Sequence, residues 1–193
     1  MNTYDFDQTI FFPDSSYCFV MYCLRRYPLR LLGSLPGVAR TGLKYALRRA
    51  ETKEMKEQVF SFLCRLEDVD AVVAAFWREN RGRVSQWYLR QKREDDVIIS
   101  ASPDFLLRPM ADELGVRLIA TVMDKRTGKI SGANCHDREK VRRFRAEYPG
   151  AHTENFYSDS LSDAPMAEIA DRAWLVAGDG DIRPWPGKSE KAK

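Results

Sequence analysis

The sequence predicts an α/β protein, a Rossmann-like parallel sheet with helices on both faces and a helical insertion near its start. Three observations predict it. A short strand pattern, Thr3-Tyr4-Asp5-Phe6-Asp7, opens the chain and runs straight into a polar turn. From Val97 onward, short apolar runs alternate with helical patterns over short connections, the pattern of strands joined by crossover helices. The stretch between them reads as helix alone. The 193 residues suit one domain carrying an insertion. The expected division is therefore a sheet core from 1–12 and 91–193, with 13–90 as a helical insertion.

The elements follow in order. From Phe19 to Ala46 apolar and basic residues mix at helical spacing, and Pro28, Gly33, Pro36 and Gly37 must break that stretch. Met55, Val59, Phe62, Leu63 and Leu66 fall on one helical face. Further helices are expected over Val69–Glu79 and Val84–Lys92. Val97-Ile98-Ile99-Ser100 is a continuous apolar run, the mark of a strand buried on both faces. Ser102-Pro103 reads as an N-cap with proline at the first helical position, and Gly115 as the stop of that helix. Val116–Met123 reads as strand, with Lys129-Ile130-Ser131 as its hairpin partner. Asp137 is placed to cap a basic helix reaching Tyr148. Phe156-Tyr157 ends a strand, Pro165–Ala170 forms a short helix, and Ala173–Val176 forms the last strand. The tail from Pro186 is polar and expected to be loose.

Composition excludes several classes. Hydrophobic residues make up 44% and charged residues 31%, so the chain is not mostly disordered. The net charge of +3 is too small to imply a nucleic-acid partner, and none is expected. The longest apolar runs, Tyr17–Leu24 and Ala71–Trp77, are far short of a membrane span. Asp5 and Asp7 stand where a signal peptide carries basic residues. Cys18, Cys23, Cys64 and Cys135 form no Cys-x-x-Cys pair, and there are two histidines, which argues against zinc and for buried free thiols. A cytoplasmic location, with scope for peripheral membrane contact, is the expectation.

In sheets of this kind the ligand site lies beyond the carboxyl ends of the strands. Asp5 and Asp7 end the first strand and Ser100 the second. Asp159 and Asp163 follow the strand ending at Tyr157, and Lys140 opens the helix begun at Asp137. Any one of these alone is an ordinary turn, cap or surface residue. Together they bring four carboxylates, a lysine and a hydroxyl toward one crevice.

Four segments in order carry a resemblance. Asp5-Phe6-Asp7-Gln8-Thr9 resembles the Asp-x-Asp-x-Thr opening of the haloacid dehalogenase superfamily. Ser100-Ala101-Ser102-Pro103 is similar to its second motif. Asn134-Cys135-His136-Asp137-Arg138-Glu139-Lys140-Val141 resembles the lysine motif of the phosphoserine-phosphatase-like branch. Tyr157-Ser158-Asp159-Ser160-Leu161-Ser162-Asp163 resembles the acidic fourth motif. The helical insertion after the first motif is similar to that branch's cap. Gln8, His136-Asp137 and Ser162 depart from the commonest residues at their positions, which weakens a phosphoserine assignment but not the phosphatase class.

The resemblance implies a magnesium-dependent phosphatase acting on a small phosphomonoester. Asp5 would be the nucleophile and Asp7 the acid and base. Asp5, Asp159 and the backbone carbonyl of Asp7 would hold Mg2+, which suits an all-oxygen donor set. Ser100 and Lys140 would hold the phosphoryl oxygens. Thr9 and Asp163 would support the loop and the metal ligand. Asp14 stands near where the branch places a carboxylate for a substrate ammonium, and equally where a residue would cap the first insertion helix. Asp7 argues for phosphoryl chemistry over dehalogenation, because a halide leaves without an acid. No motif residue is lost, which argues against a non-catalytic member.

One compositional anomaly lies outside these motifs. Ser15–Ala50 contains no acidic residue but carries Arg25, Arg26, Arg30, Arg40, Lys44, Arg48 and Arg49. Between them stand Leu24, Leu29, Leu31, Leu32, Leu35, Leu43, Tyr45 and Leu47. Two readings are open. The leucines form the cap's own core and the cations a solvated face, or residues 15–50 form a surface for a partner or anionic membrane lipid, with a lipid-linked phosphate as substrate.

Overall fold

The structure is a computed structural model that describes residues 1–178 and 180–187. The strands are β1 (Thr3–Tyr4), β2 (Val97–Pro103), β3 (Arg117–Thr121), β4 (Asn155–Ser158), β5 (Arg172–Ala177) and β6 (Asp181–Pro184). Among the described residues they form one six-stranded sheet in the order β3-β2-β1-β4-β5-β6. The first five are parallel, and β6 closes the β5 edge antiparallel to it. This edge strand was not expected from the sequence. The alternation of side chains builds two faces from one strand. Val97 and Ile99 pack with Phe144 and Met166 on one side of the sheet, and Ile98 packs with Tyr4, Leu107 and Leu118 on the other.

The helices are α1 (Ser15–Arg26), α2 (Pro28–Leu32), α3 (Leu35–Ala46), α4 (Thr52–Val59), α5 (Val69–Asn80), α6 (Gln86–Gln91), α7 (Asp104–Leu114), α8 (Arg138–Glu147) and α9 (Ala164–Ile169). Gly115 ends α7 at φ +68°, the left-handed conformation that costs glycine little. Two local expectations fail. Ser102 does not cap α7: β2 continues past it after a bulge, pairing Pro103 with Thr121, and Pro103 itself occupies the cap position. Asp137 stands at the cap position of α8, but its side chain makes no capping hydrogen bond there. The expected hairpin after β3 shrinks to a single bridge between Met123 and Ile130. The tail expected to be loose lies, from residue 188 on, outside the described residues.

The inserted helices share the sheet's core. Phe19, Phe62, Phe76 and Trp77 belong to the same buried cluster as Phe6, Phe11, Leu106 and Met110. The Trp77 indole donates to the Leu106 carbonyl at 2.6 Å, and Tyr88 lies edge-on to Tyr4 with ring centroids 4.9 Å apart. At the other end, α4 reaches over the loop after β3. Lys53 Nζ donates to the Gly132 carbonyl at 2.7 Å, and the Ile130 N–H donates to Glu57 Oε1 at 3.0 Å.

The reading that the leucines of 15–50 form the cap's core is corrected here. Leu31 is buried, but Leu29, Leu32, Leu35, Leu43, Tyr45 and Leu47 are exposed, Leu29 to 81% and Leu43 to 64%. Among the described residues no helix is long and apolar enough to cross a membrane.

Candidate active site

The central strand sets the site. β1 pairs on both sides, with β2 and β4, and the Asp5 N–H extends the second ladder by donating to the Tyr157 carbonyl at 2.8 Å. Beyond it the chain coils tightly. The Phe6 carbonyl accepts from the N–H groups of Ile10 and Phe11, each at 2.9 Å, and Gln8 sits at φ +57°. This turn keeps Asp5 and Asp7 at one rim of the sheet, two residues apart.

Lys140, in the first turn of α8, is 2% exposed and crosses to the end of β1. Its ammonium donates to Asp5 Oδ1 and to Asp163 Oδ2, both at 2.7 Å. Among the described residues nothing hydrogen-bonds the other oxygen of Asp5. The Ser158 hydroxyl also donates to Asp163 Oδ2 at 2.7 Å, while Asp163 Oδ1 is buried with no partner. The Thr9 hydroxyl accepts from the Asp159 N–H at 3.0 Å, tying the first loop to the loop after β4. Asp159 itself is half-buried.

Asp7 belongs to a second, hydroxyl-lined group. Its Oδ1 accepts from the Ser15 N–H at 2.6 Å and its Oδ2 from the Ser102 hydroxyl at 2.5 Å. The Ser100 hydroxyl lies 3.5 Å from the same Oδ2 and accepts from the Ser102 N–H at 3.0 Å. The structure thus brings Asp5, Asp7, Ser100, Lys140, Thr9, Asp159 and Asp163 to one end of the sheet. Asp14 caps α1, accepting from the Tyr17 N–H at 2.7 Å, and its carboxylate lies near Asp7.

Three residues here were not expected from the sequence. Ser102 holds Asp7. Lys56 descends from α4 and donates to the Ala101 carbonyl at 2.9 Å and to Asn134 Oδ1 at 3.0 Å. Asn134 is fixed in turn by the Thr121 hydroxyl at 3.0 Å. A lysine in the run Thr52-Lys53-Glu54-Met55-Lys56-Glu57 looks like any solvated helix cation, so nothing local marked it.

The profile of the haloacid dehalogenase-like hydrolase family matches residues 3–168, most of the chain. The chain belongs to the haloacid dehalogenase-like hydrolases. Protein CicA of Caulobacter vibrioides is 35% identical over 89 residues, which span 42% of this chain and 40% of that protein. A Bordetella pertussis Tohama I protein of unknown function superposes with a TM-score of 0.75 at 23% identity, over 97% of this chain and 91% of that one. A phosphoserine phosphohydrolase-like protein from Francisella tularensis superposes with a TM-score of 0.59 at 12% identity, over 92% and 87%. At these identities the two structures share the fold, the parallel sheet expected from the sequence.

The electrostatics of this haloacid dehalogenase-like site follow from burial. Burial pushes the Asp5 carboxyl up to about 7; Lys140 pulls it down, and Asp163 and Asp7 push it further up. Burial and the nearby Asp14 raise Asp7 to about 6 against the hydrogen bonds from Ser102 and Ser15. Burial alone would lower Lys140, but Asp5 and Asp163 outweigh it and hold the ammonium above its ordinary range. Burial also raises Asp159 and lowers Lys56.

Two buried carboxylates facing one ammonium leave an excess of negative charge, and Asp163 Oδ1 lacks a partner. Among the described residues no three Asp, Glu, His or Cys side chains close on a single point. Magnesium does not require that, because it is held by one or two carboxylates and keeps several waters. The all-oxygen donors and the uncompensated charge fit such an ion.

Proposed function

We propose that this chain is a magnesium-dependent phosphatase that hydrolyses a small phosphomonoester through an aspartyl-phosphate on Asp5. The observation that carries this reading is the Asp5 carboxylate at the end of the central strand. One of its oxygens is gripped by Lys140, and the other makes no hydrogen bond among the described residues. Residues 13–90 serve as the cap and 1–12 with 91–193 as the catalytic core.

The free oxygen of Asp5 attacks phosphorus in line with the ester oxygen, which leaves as the P–O bond breaks. Asp7 gives that oxygen its proton. Its raised pKa, about 6, keeps part of the population protonated near neutral pH. The same carboxylate then takes a proton from the water that attacks the aspartyl-phosphate, releasing inorganic phosphate and restoring Asp5. Lys140 and Ser100 stabilise charge on the phosphoryl oxygens. Asp5 and Asp159, with the main-chain carbonyl of Asp7, would hold magnesium. When bound, magnesium offsets the repulsion between carboxylate and phosphate. Thr9 and Asp163 keep these groups in place.

The test is hydrolysis of an aryl phosphate by the purified chain with magnesium and with a chelator. Activity that needs magnesium and disappears in Asp5→Asn is the expected result. Activity unchanged in chelator or in Asp5→Asn would reject the reading.

A further inference from the structure

The amphipathicity of α3 is inverted. Leu35, Ala39, Leu43 and Ala46 recur along one side of the helix at spacings of three and four, and all are exposed, as is Leu47 just beyond. The opposite side carries Gly37, Thr41 and Lys44 and rests on α4. A Cβ on Gly37 would meet Gln58 Nε2 at 2.3 Å, and Lys44 Nζ lies 3.9 Å from Glu54. A surface helix ordinarily turns its apolar stripe to the core and its polar side to water. Here the small and polar side faces the protein and the leucines face out. Leu29 and Leu32 of the preceding α2 are exposed as well.

Within the run that carries this stripe the charge has one sign, while Glu51, Glu54 and Glu57 of the next helix line a concavity with Arg48 and Arg49. Arg26 pairs with Glu79 and Arg30 with Glu67. Arg25, Arg40, Arg48 and Arg49 make no ion pair among the described residues. No Asp or Glu occurs from Ser15 to Ala50. An apolar stripe bordered by unpaired arginines fits a partner that is apolar in depth and anionic at its surface.

We propose that the outward face of α3 docks on an anionic lipid bilayer, lying in the interface plane. The leucines would enter the boundary between headgroups and acyl chains. The arginines would reach the anionic headgroups on their flexible stems. A second copy of the chain is a poorer occupant. Its matching face would set unpaired arginines against arginines, with no acidic residue in the run to meet them. The face lies one helix away from the active site, because α4 beneath it sends Lys56 to the Ala101 carbonyl. Docking would therefore hold the cap side of the site near the bilayer. The proposal does not depend on the phosphatase reading.

The test is co-sedimentation of the full chain with vesicles of phosphatidylcholine alone and of an equal mixture with phosphatidylglycerol, at low and high salt. The chain should pellet with the anionic vesicles at low salt and be released by high salt. Each neutralised arginine should weaken binding about fivefold, so Arg40→Gln, Arg48→Gln and Arg49→Gln together should weaken it about a hundredfold. Leu43→Gln with Leu47→Gln should weaken it at least about tenfold. All five side chains are exposed, so these variants should fold, and hydrolysis of a soluble aryl phosphate should not change. No pelleting at low salt would overturn the proposal. So would binding indifferent to the leucine substitutions, which would be charge attraction alone. A dimer in the ultracentrifuge that Leu43→Gln splits would overturn it too, by giving the face to a second copy.

Discussion

Lys140 Nζ is hydrogen-bonded to Asp5 Oδ1 at 2.7 Å across 135 positions of sequence. The contact joins the first strand to the first turn of α8, and the ammonium reaches Asp163 at the same distance. One side chain therefore bridges two buried carboxylates, offsetting part of their charge, and aims one of them.

Removing that side chain leaves both carboxylates buried without a counter-charge. Lys140→Met should cost about 3–5 kcal/mol of stability, the usual penalty for breaking a buried pair from one side. At about 2–4 °C per kcal/mol for a chain this long, thermal melting should fall by roughly 6–20 °C. Lys140→Arg keeps the charge and should recover much of the melting temperature but little of the activity, because the larger fork cannot take the same position. An unchanged melting temperature in Lys140→Met would mean that the pair holds no buried charge.

Metal binding can be read without any turnover. An ion that binds only the folded chain stabilises it by about 2.7 kcal/mol at a hundred times its Kd, or about 5–10 °C here. Magnesium should raise the melting temperature relative to chelator, and Asp159→Asn should reduce that rise. Identical melts with magnesium and with chelator would argue that Asp5 and Asp159 do not hold the ion.

Lys56 joins the inserted helices to the catalytic end of the sheet. Lys56→Met removes a charged donor to the Ala101 carbonyl and to Asn134, which are then left to share the single proton of the Thr121 hydroxyl. Hydrogen bonds to charged groups contribute about 1.5–3 kcal/mol. The melting temperature should therefore fall by roughly 3–12 °C, and steady-state kinetics should show kcat/KM falling about tenfold or more, mostly through KM. A loss confined to kcat would move Lys56 into the chemical step instead.

The legibility of this fold followed chemistry more closely than geometry. Asp5, Asp7, Lys140 and Asp159 stood out only as a set, through the order of the four motifs that carry them, since each alone reads as a turn, cap or surface residue. Gly115 stood out because its position needs a left-handed residue. Ser102 misled because Ser-Pro is a strong helix-start pattern, whereas β2 gains further pairing with β3 and runs through it. Lys56 was silent, since its role exists only once α4 lies over Ala101. β6 was silent because Asp181-Ile182-Arg183-Pro184 is short, polar and mostly exposed, with little apolar alternation to read. The leucines of α3 obey a helical period, but period alone does not say which side faces the protein.

Acid should loosen the helix that carries Lys140. Arg142 grips Glu139 through two bonds of 2.6 Å, and Arg143 adds a third at 2.9 Å while also donating to the Ala120 and Ala133 carbonyls. The Arg142 bonds above all, helped by Arg143 and opposed by burial, hold the Glu139 carboxyl at about 2. The folded pKa lies below the unfolded one, so this contribution is fully present above about pH 4.5 and is lost as pH falls toward 2. Thermal melts across that window should fall less steeply for Glu139→Gln than for the parent chain. Parallel slopes would show that Glu139 does not couple folding to protons.

The central claim is covalent attachment of phosphate to Asp5, and an acid-quenched reaction tests it most directly. The chain is mixed with an aryl phosphate and magnesium, quenched in acid, digested and mapped by mass spectrometry. An acyl phosphate survives acid and is cleaved by hydroxylamine. The account expects such a phosphate on the peptide holding Asp5, more of it in Asp7→Asn, where water is activated slowly, and none in Asp5→Asn. Phosphate on another residue, or turnover with no covalent phosphate in either the parent chain or Asp7→Asn, would contradict it.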